Sequence, residues 1–485
     1  MRILSELYRP SLALLTDLYQ LTMAYGYWKQ GISERKSVFH LFYRKAPFQG
    51  QYAIAAGLEY AIGLMEGLRF TADDVHYLST LTGNDGKALF EPGFLSYLRE
   101  LRFSCDVDAI PEGSIAFPHE PLLRISGPLL QCQLLETSLL TVLNFQTLIA
   151  TKAARVCAVA GEDEVLEFGL RRAQGIDGGL SASRAAYIGG CSATSNVLAG
   201  RLFGIPVRGT HAHAWVMSFD TELEAFEAYA AALPNNCVFL VDTYDTLDGV
   251  RNAITVGERL RAAGYKLAGI RLDSGDLAAL SIAARQLLDA AGFESARIVA
   301  SNDLDEYAMQ ELKAKGAQIA VWGVGTKLVT AYDQAALGGV YKLGAIQDED
   351  GAWQYKVKLS EQLIKVSNPG ILQVRRFFQG GKPVADLLYN EDSGPNMEVV
   401  MDAVVPDLAH PLPDFDSFSD LLVPIFRQGH LLYTLPKLAD VRARALRQVA
   451  SMPIQVGVAP GPYLSGLDSA LYSLKTDIIN RIKAQ

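Results

Sequence analysis

Six short apolar runs, each ending in polar or glycine-rich residues, limit how the middle of this chain can fold. They cover residues 165–172, 205–213, 238–244, 267–276, 298–303 and 319–326. Helical patterns alternate with them, at residues 134–150, 192–201, 222–233, 248–263, 278–291 and 305–315. Such alternation predicts parallel strands joined by right-handed helical crossovers. We therefore expect an α/β fold with its chemistry at the carboxyl ends of the strands. A TIM-like, possibly incomplete, parallel β/α barrel is favoured over an open doubly wound sheet.

The segments that flank this repeat predict a second, accessory α/β domain. Residues 1–130 are interpreted as an N-terminal α/β domain, 131–343 as the barrel, and 344–485 as a return to the accessory domain followed by C-terminal helices. The predicted elements are a helix capped by Thr16 and stopped at Gly31, a strand at 37–43, turns at 111–113 and 126–128, and helices at 435–451 and 465–483.

Composition excludes several classes of protein. The 44 basic and 53 acidic residues give a net charge of -9, which argues against non-specific nucleic-acid binding. The five cysteines are widely spaced without a CxxC pair, so neither a disulfide framework nor a zinc site is indicated. The sequence also lacks an apolar run of the ~18 residues that a membrane span needs and a secretory signal core. A cytoplasmic protein is expected.

Two of the seven histidines fall in Gly209-Thr210-His211-Ala212-His213, at the end of the second run. Residues two apart on a strand share a face, so a metal-binding HxH pair is one interpretation. The barrel hydrolases that use such a pair need further histidines on later strands, and none lies between residues 214 and 409. A packed structural pair and a catalytic or covalently modified histidine are the other interpretations.

Carboxylates and an arginine end another run, in Arg271-Leu272-Asp273-Ser274-Gly275-Asp276. Asp273 and Asp276 on a tight glycine turn suit sugar hydroxyls or a magnesium ion. Asp276 is equally well placed to cap the next helix.

Two more strand ends suit anions. Residues 322–327 form a glycine-rich turn whose N–H groups are able to hold a phosphate, or are purely structural. Residues 167–175 include Phe168, Arg171 and Arg172, a combination that suits a carboxylated aromatic ligand. The alternative is that the arginines form ion pairs at the surface. A P-loop pattern is absent, so ATP, if used, is held in another way. Residues 238–246 lack the adjacent acidic pair and phosphate turn of a known phosphoribosyltransferase loop and are not interpreted as one.

Taken in order, these motifs resemble those of the nicotinate phosphoribosyltransferases, in the barrel-type phosphoribosyltransferase class. The resemblance begins at Leu15-Thr16-Asp17-Leu18-Tyr19-Gln20 and continues through residues 167–179, 192–200, 209–213, 240–244, 271–276, 301–302, 323–326 and 338–343. It implies a ligase-type reaction of NAD biosynthesis. Nicotinate and 5-phosphoribosyl 1-pyrophosphate would give nicotinate mononucleotide and pyrophosphate, coupled to hydrolysis of ATP through a phosphohistidine, with Mg²⁺ as cofactor.

The resemblance also implies the site. His213 matches the family's phosphorylated histidine and, with Asp273 near the ribose, is assigned as catalytic. The implied substrate-binding residues are Tyr19 and Thr210 on nicotinate, Arg271 near its carboxylate, Phe168 on its ring, Arg171 on phosphate, Asn302, and the Gly325-Thr326 phosphate turn. In relatives the tyrosine comes from a second subunit, so a homodimer with active sites at the interface is implied, without nucleic acid or membrane as partner.

Four rival interpretations stay open at this point, one of which is a non-catalytic structural or binding barrel. A nicotinamide-specific enzyme of the same class would differ by an acidic residue on the amide, and quinolinate-type chemistry would need more basic residues for a second carboxylate. From another class, a metal-dependent barrel hydrolase is disfavoured by the positions of the histidines.

Overall fold

The computed structural model describes residues 11–457 and 463–484, which form a mixed α/β fold with three large sheets. The first sheet is antiparallel, with strands in the spatial order Trp353–Tyr355, Gly339–Gln347, Lys36–Tyr43, Leu123–Pro128, Asp106–Ala109, Val423–Arg427 and His430–Leu431. Its strands come from both ends of the chain. The predicted boundaries at residues 130 and 343 stay predictions.

The second sheet is parallel throughout and is built from the predicted repeat. Its spatial order is Ala193–Thr194, Glu164–Glu167, Val321–Val324, Arg297–Ala300, Gly269–Leu272 and Val238–Leu240. The intervening helices are Gly175–Ile188, Val197–Phe203, His213–Val216, Glu222–Ala232, Thr246–Ala262, Leu277–Ala290, Glu306–Ala314 and Thr326–Val329. The predicted α/β fold with parallel strands is confirmed.

Strand pairing among the described residues does not close this sheet into a barrel. At one edge, Val207 makes only an isolated bridge to Thr194, so the predicted strand at 205–213 is reduced to a single residue pair. At the other edge, the Leu240 N–H donates to Nε2 of His211 at 3.2 Å. A side chain therefore lies where a closed barrel has a strand pair.

A third sheet, a small two-stranded sheet and further helices complete the fold. The third sheet has the order Ala409–Pro411, Val399–Met401, Leu464–Leu467, Lys382–Asn390, Leu372–Gln379 and Ser417–Asp420, and a small sheet pairs Ala53–Ile54 with Ile115–Ala116. The other α-helices are Leu18–Lys29, Leu58–Glu66, Ala72–Ser79, Pro92–Glu100, Leu129–Leu134, Glu136–Ala160, Leu438–Ser451 and Ser469–Lys483, and the 3₁₀ helices are Pro47–Gln49, Leu170–Arg172 and Leu363–Lys365. No helix in the described part of the chain has the length and apolar character of a membrane span.

The long helix Glu136–Ala160 fastens the parallel sheet to the N-terminal elements. Its Lys152 and Arg155 both pair with Glu306, at 2.7 and 2.9 Å, and the Lys152 and Glu306 side chains are fully buried. Breaking a buried pair leaves an uncompensated charge, at a cost of about 3–5 kcal/mol. These contacts hold one face of the parallel sheet and leave its carboxyl edge open.

Several local predictions were wrong, each for a physical reason. Asp17 rather than Thr16 is the cap residue of the first helix, and its carboxylate accepts from Thr137 instead of capping. Residues 126–128 end a strand rather than form a turn, because they pair with residues 36–38. The helix predicted at 192 begins at Val197, after the strand Ala193–Thr194, and a strand occupies 464–467 before the last helix.

Candidate active site

A cleft of about 350 Å³ opens at the carboxyl ends of the parallel strands. Of the ten predicted site residues, those that line it are Phe168, Arg171, Thr210, Arg271, Asp273, Asn302, Gly325 and Thr326. His213 lies beside it, with Nε2 3.8 Å from Oδ2 of Asp273. The structure therefore brings together all the predicted residues except Tyr19.

Arg271 is held on three sides at the centre of the cleft. Its Nε donates to Ser301 at 2.8 Å, Nη1 to Thr210 at 3.0 Å and Nη2 to Asp273 at 2.9 Å. A guanidinium carries five N–H groups, so each terminal nitrogen keeps one N–H for a ligand. The Phe168 ring lies beside the same guanidinium, 5.9 Å from centroid to Cζ. A planar ring that carries a carboxylate suits this pair.

Asp273 is kept ionised by its neighbours. Burial alone raises the pKa of this carboxyl, but the hydrogen bond from Ser301 and the charge of Arg271 outweigh it, and the pKa lies below its ordinary value. Its Oδ1 accepts from Arg271 and Ser301, whereas Oδ2 faces His213. The cleft therefore presents a carboxylate next to a cation and an imidazole.

His213 lies between a hydroxyl and two carboxylates. Nδ1 is 3.1 Å from Oγ1 of Thr243, and Nε2 is 4.0 Å from Oδ1 of Asp242 and 3.8 Å from Oδ2 of Asp273. About two fifths of its side chain is exposed (41%). The two carboxylates therefore lie on the Nε2 side of the ring and the hydroxyl lies on the Nδ1 side.

Asp242 supports the loop that carries Asp273. Its Oδ2 accepts from the Asp273 N–H at 2.9 Å and from the Ser274 hydroxyl at 2.6 Å. Its Oδ1 is buried without a hydrogen-bond partner among the described residues and faces Nε2 of His213. The unpaired oxygen is therefore available to a cation.

His211 does not form a metal-binding pair with His213. Its ring packs among Phe226, Tyr229 and Phe239, and burial lowers its pKa to about 4, so it is neutral at pH 7. Within residues 11–457 and 463–484 there is no cluster of three or more His, Cys, Asp or Glu side chains with metal-site geometry. His211 is thus a packed structural residue that joins the two sheet edges.

The strand Glu164–Glu167 positions the wall that carries Phe168 and Arg171. The buried Glu167 carboxylate accepts from the Gly169 N–H at 2.5 Å and from the hydroxyls of Ser183 and Thr194 at 2.9 and 2.5 Å. Arg171 itself makes no hydrogen bond or ion pair with the described residues, unlike the surface pair considered from the sequence. Its guanidinium is therefore available for an anion.

Glycines and a strained asparagine shape the opposite wall. Gly325 precedes the short helix Thr326–Val329, and both Gly325 and Thr326 face the cleft. Asn302 has φ 115°, in the left-handed region that side chains rarely adopt, and its Oδ1 accepts from the Asp303 N–H. Strain of this kind is common where a ligand fixes the local backbone.

Two predicted residues take other positions. Asp276 caps the helix Leu277–Ala290, accepting from Ala278 and Ala279 N–H groups at 3.1 Å, so it is not part of an acidic pair with Asp273. Tyr19 is 48% exposed and lines a separate cleft of about 300 Å³ beside Glu136 and Phe145. One chain alone therefore does not bring Tyr19 to the Arg271 cleft.

Sequence reasoning missed Asp242, Thr243 and Ser301 as members of the site. Asp242 and Thr243 lie within residues 240–244, which entered the family resemblance without a role in the site being assigned to them. Their position just past the strand Val238–Leu240 was a usable signal, since carboxyl ends of parallel strands meet at one edge.

Comparison with known proteins gives a consistent result along the chain. Family models match residues 14–144 (nicotinate phosphoribosyltransferase N-terminal domain), 164–354 (nicotinate phosphoribosyltransferase family) and 372–475 (nicotinate phosphoribosyltransferase C-terminal domain). Nicotinate phosphoribosyltransferase of Bacillus subtilis is 46% identical over 89% of this chain and 87% of its own, and that of Homo sapiens 38% identical over 89% and 90%. The crystal structure of human nicotinic acid phosphoribosyltransferase superimposes with a TM-score of 0.82 at 34% identity, covering 96% of this chain and 99% of the other.

Proposed function

The chain belongs to the nicotinate phosphoribosyltransferase family, and from this premise we propose how its cleft joins nicotinate to 5-phosphoribosyl 1-pyrophosphate. The protein is an enzyme of NAD biosynthesis that forms nicotinate mononucleotide and pyrophosphate. The observation that carries the proposed mechanism is Arg271, fixed on three sides and left with one N–H on each terminal nitrogen. That arrangement suits the carboxylate of nicotinate.

Nicotinate would lie between Phe168 and Arg271. The two remaining N–H groups of Arg271 would bind its carboxylate, and Thr210, already bonded to Nη1, would lie next to it. The Phe168 ring would support the pyridine face. A hydrogen-bonding site of this kind discriminates strongly against a ligand that lacks the matching group.

Gly323 makes room for the Phe168 ring, so we expect Gly323→Ala to weaken nicotinate binding. An added Cβ would lie 2.7 Å from Cδ2 of Phe168, which forces the ring toward the ligand position. Overpacking of this type costs about 1–3 kcal/mol, or roughly a tenfold rise in KM for nicotinate. Steady-state kinetics with varied nicotinate test this. Gly63→Ala, where a Cβ meets open space, is the control, and equal KM values in both variants would contradict the prediction.

The phosphoribosyl group would occupy the rest of the cleft. Arg171 and the Gly325-Thr326 turn would bind phosphate oxygens, with Asn302 beside the ribose. In the glycosyl step the pyridine nitrogen of nicotinate bonds to ribose C1 as the C1–oxygen bond to pyrophosphate breaks. The Asp273 carboxylate would stabilise the positive charge that develops on the ribose.

Magnesium fits the free carboxylate oxygens here. Among the residues that the structure describes, Oδ1 of Asp242 is buried without a hydrogen-bond partner, and Oδ2 of Asp273 accepts no hydrogen bond. Hard oxygen ligands of this kind suit Mg²⁺, which is usually bound by one or two carboxylates together with substrate phosphates. When bound, the ion would neutralise charge on the departing pyrophosphate.

ATP coupling would pass through His213. The γ-phosphoryl group would move from ATP to Nδ1, forming a P–N bond as the terminal P–O bond breaks and ADP leaves. Water would later break the P–N bond and release inorganic phosphate. Nδ1 is favoured because the Asp242 and Asp273 carboxylates lie on the Nε2 side of the ring and would repel a phosphoryl group there.

Product formation with and without ATP is the direct test. Purified protein is incubated with nicotinate, 5-phosphoribosyl 1-pyrophosphate and Mg²⁺, and nicotinate mononucleotide is followed by chromatography, with nicotinamide in parallel. We expect ATP-stimulated product from nicotinate alone. Product from nicotinamide at an equal rate would contradict the specificity, and a rate independent of ATP would contradict the coupling.

We propose that the functional unit is a homodimer in which Tyr19 enters the partner's cleft. Tyr19, Leu18 and Met23 expose large apolar surfaces on the first helix, at 48%, 54% and 41%. Beside the Arg271 cleft, Val197 and Leu202 are exposed at 71% and 56%. Two such patches on one chain suit an isologous interface, in which each subunit covers the other twice.

Complementation between two inactive variants tests the shared site. We expect Tyr19→Ala and Arg271→Ala to be nearly inactive alone and active when co-expressed. Random pairing makes about half of the dimers mixed, each with one intact site of two, so about a quarter of wild-type activity returns (one half times one half). Co-expression of two differently tagged Tyr19→Ala chains is the control. Failure of the mixed dimers to recover activity would contradict a shared site.

Two finer statements complete the proposal. The parallel sheet is proposed to act as an incomplete barrel, with His211 bridging its edges as a strand pair does in a closed one.

A cytoplasmic location is supported by five free thiols, including Cys105 and Cys132, whose sulfurs are 3.7 Å apart without a bond.

A further inference from the structure

Ser301 follows the strand Arg297–Ala300 and is almost entirely buried (4% exposed) at the base of the cleft. The register of the parallel sheet places it there, because Ala300 pairs with Leu272 and the residues after each, Ser301 and Asp273, become neighbours. Arg271, which pairs with Val299, reaches the same point. A small hydroxyl thus lies between the cation and the carboxylate of the site.

The Ser301 hydroxyl both accepts and donates a hydrogen bond. Its oxygen accepts from Nε of Arg271 at 2.8 Å, and its hydrogen is donated to Oδ1 of Asp273. The same Oδ1 accepts from Nη2 of Arg271 at 2.9 Å, so the three residues form a closed hydrogen-bonded ring. This hydrogen-bonded ring holds the guanidinium by the edge that Nε and Nη2 form, and so fixes the plane of the group.

A guanidinium binds a carboxylate in a bidentate manner either through Nε with one terminal nitrogen or through the two terminal nitrogens. Ser301 and Asp273 occupy the first edge. With that edge occupied, the N–H groups left for a ligand are on the terminal nitrogens, one on each. Two N–H donors match two carboxylate oxygens and mismatch a carboxamide, whose NH₂ group would face an N–H.

We propose that Ser301 is a positioning residue that sets the preference for a carboxylate over a carboxamide on the pyridine ring, by keeping Nε of Arg271 out of the ligand's reach. The inference rests on the proposed nicotinate site. Without the hydroxyl, the side edge of Arg271 loses a partner and the guanidinium is free to turn. A single N–H is then able to donate to an amide oxygen, and the preference for nicotinate over nicotinamide falls.

The test is the specificity ratio of Ser301→Ala. The kcat/KM values for nicotinate and nicotinamide are measured at saturating 5-phosphoribosyl 1-pyrophosphate, Mg²⁺ and ATP. Where nicotinamide turnover is undetectable, its inhibition constant against nicotinate replaces it. We expect the nicotinate preference to fall about tenfold, as for loss of one hydrogen bond to a charged group. A general loss of structure would lower both bases equally and leave the ratio unchanged.

Three further variants make the result decisive. Ser301→Thr keeps the hydroxyl and is expected to keep the ratio, and Ser301→Cys, with a weak donor and acceptor, to give an intermediate one. Ser281→Ala removes an equally buried hydroxyl from a helix of the same repeat and is expected to change nothing in the ratio. An unchanged ratio in Ser301→Ala, or equal ratios for Ser301→Thr and Ser301→Ala, would overturn the inference. Absence of nicotinate turnover in the wild type would instead overturn the proposed function.

Discussion

Replacing His213 with asparagine is expected to abolish ATP coupling while leaving the fold intact. Asparagine keeps a polar contact with Thr243 but has no nucleophilic nitrogen, so the phosphoryl group has no acceptor. We expect ATP-dependent turnover to fall on the order of 100-fold or more, and nicotinate-independent ATP hydrolysis to disappear. Transfer of labelled γ-phosphate to the protein, with acid-labile and base-stable chemistry, measures the intermediate directly.

The matched control is His76→Asn, an exposed histidine on the helix Ala72–Ser79. It is expected to keep both labelling and coupling. His211→Asn is expected to behave differently from both, because it removes the acceptor of the Leu240 N–H and a ring from a buried aromatic cluster. Its melting temperature should fall, whereas that of His213→Asn should not. Phosphate labelling that persists in His213→Asn would contradict the assigned nucleophile.

The parallel sheet was predictable because its strands are short apolar runs with polar ends, and both faces of such strands are buried. The helix Gly175–Ile188 was not predicted, since Gly175, Gly178 and Gly179 lower helix propensity. Tertiary packing overrides that propensity. Gly179 lies against Leu170, and a Cβ there would be 2.8 Å from its side chain. Closure of the sheet depends on edge geometry, which periodicity does not encode.

The sequence predicted most of the site residues from the rule for parallel strand ends, but it did not predict the strand register that brings particular side chains together. The rule that side chains meet at the carboxyl ends of parallel strands located Arg271, Asp273 and Thr210. Which of these side chains touch depends on strand register, which the sequence does not give. Leu240 pairs with Arg271, so Asp242 and Asp273, each two residues further on, come together. Ser301 joins them through the next pairing.

We expect Arg271→Lys to remove most of the enzyme's preference for nicotinate over nicotinamide, measured as the ratio of the two kcat/KM values. Lysine keeps the charge but presents a compact ammonium, which cannot bind Ser301, Thr210, Asp273 and a carboxylate together. Truncating a hydrogen-bonded charge pair costs about 2–5 kcal/mol, so kcat/KM for nicotinate should fall about 30-fold or more. Nicotinamide, which has no carboxylate to lose a partner, should be affected much less.

The control and the pH dependence separate recognition from folding. Arg251→Lys changes an arginine in an exposed ion pair with Asp248 and is expected to leave both bases unaffected, since such pairs contribute little. The hydrogen bond from Ser301, whose geometry depends on the guanidinium, and the hydrogen bond from Arg271 both lower the pKa of Asp273. Lysine keeps the charge but loses these contacts, so the variant should raise that pKa. Stability conferred by the ionised carboxylate is present above its unfolded pKa and is lost as pH falls through the folded value, so Arg271→Lys should lose stability at a higher pH than the wild type. Equal losses for nicotinate and nicotinamide at neutral pH would mean that Arg271 supports the cleft without recognising the carboxylate, because a contact made only with nicotinate cannot affect both bases alike.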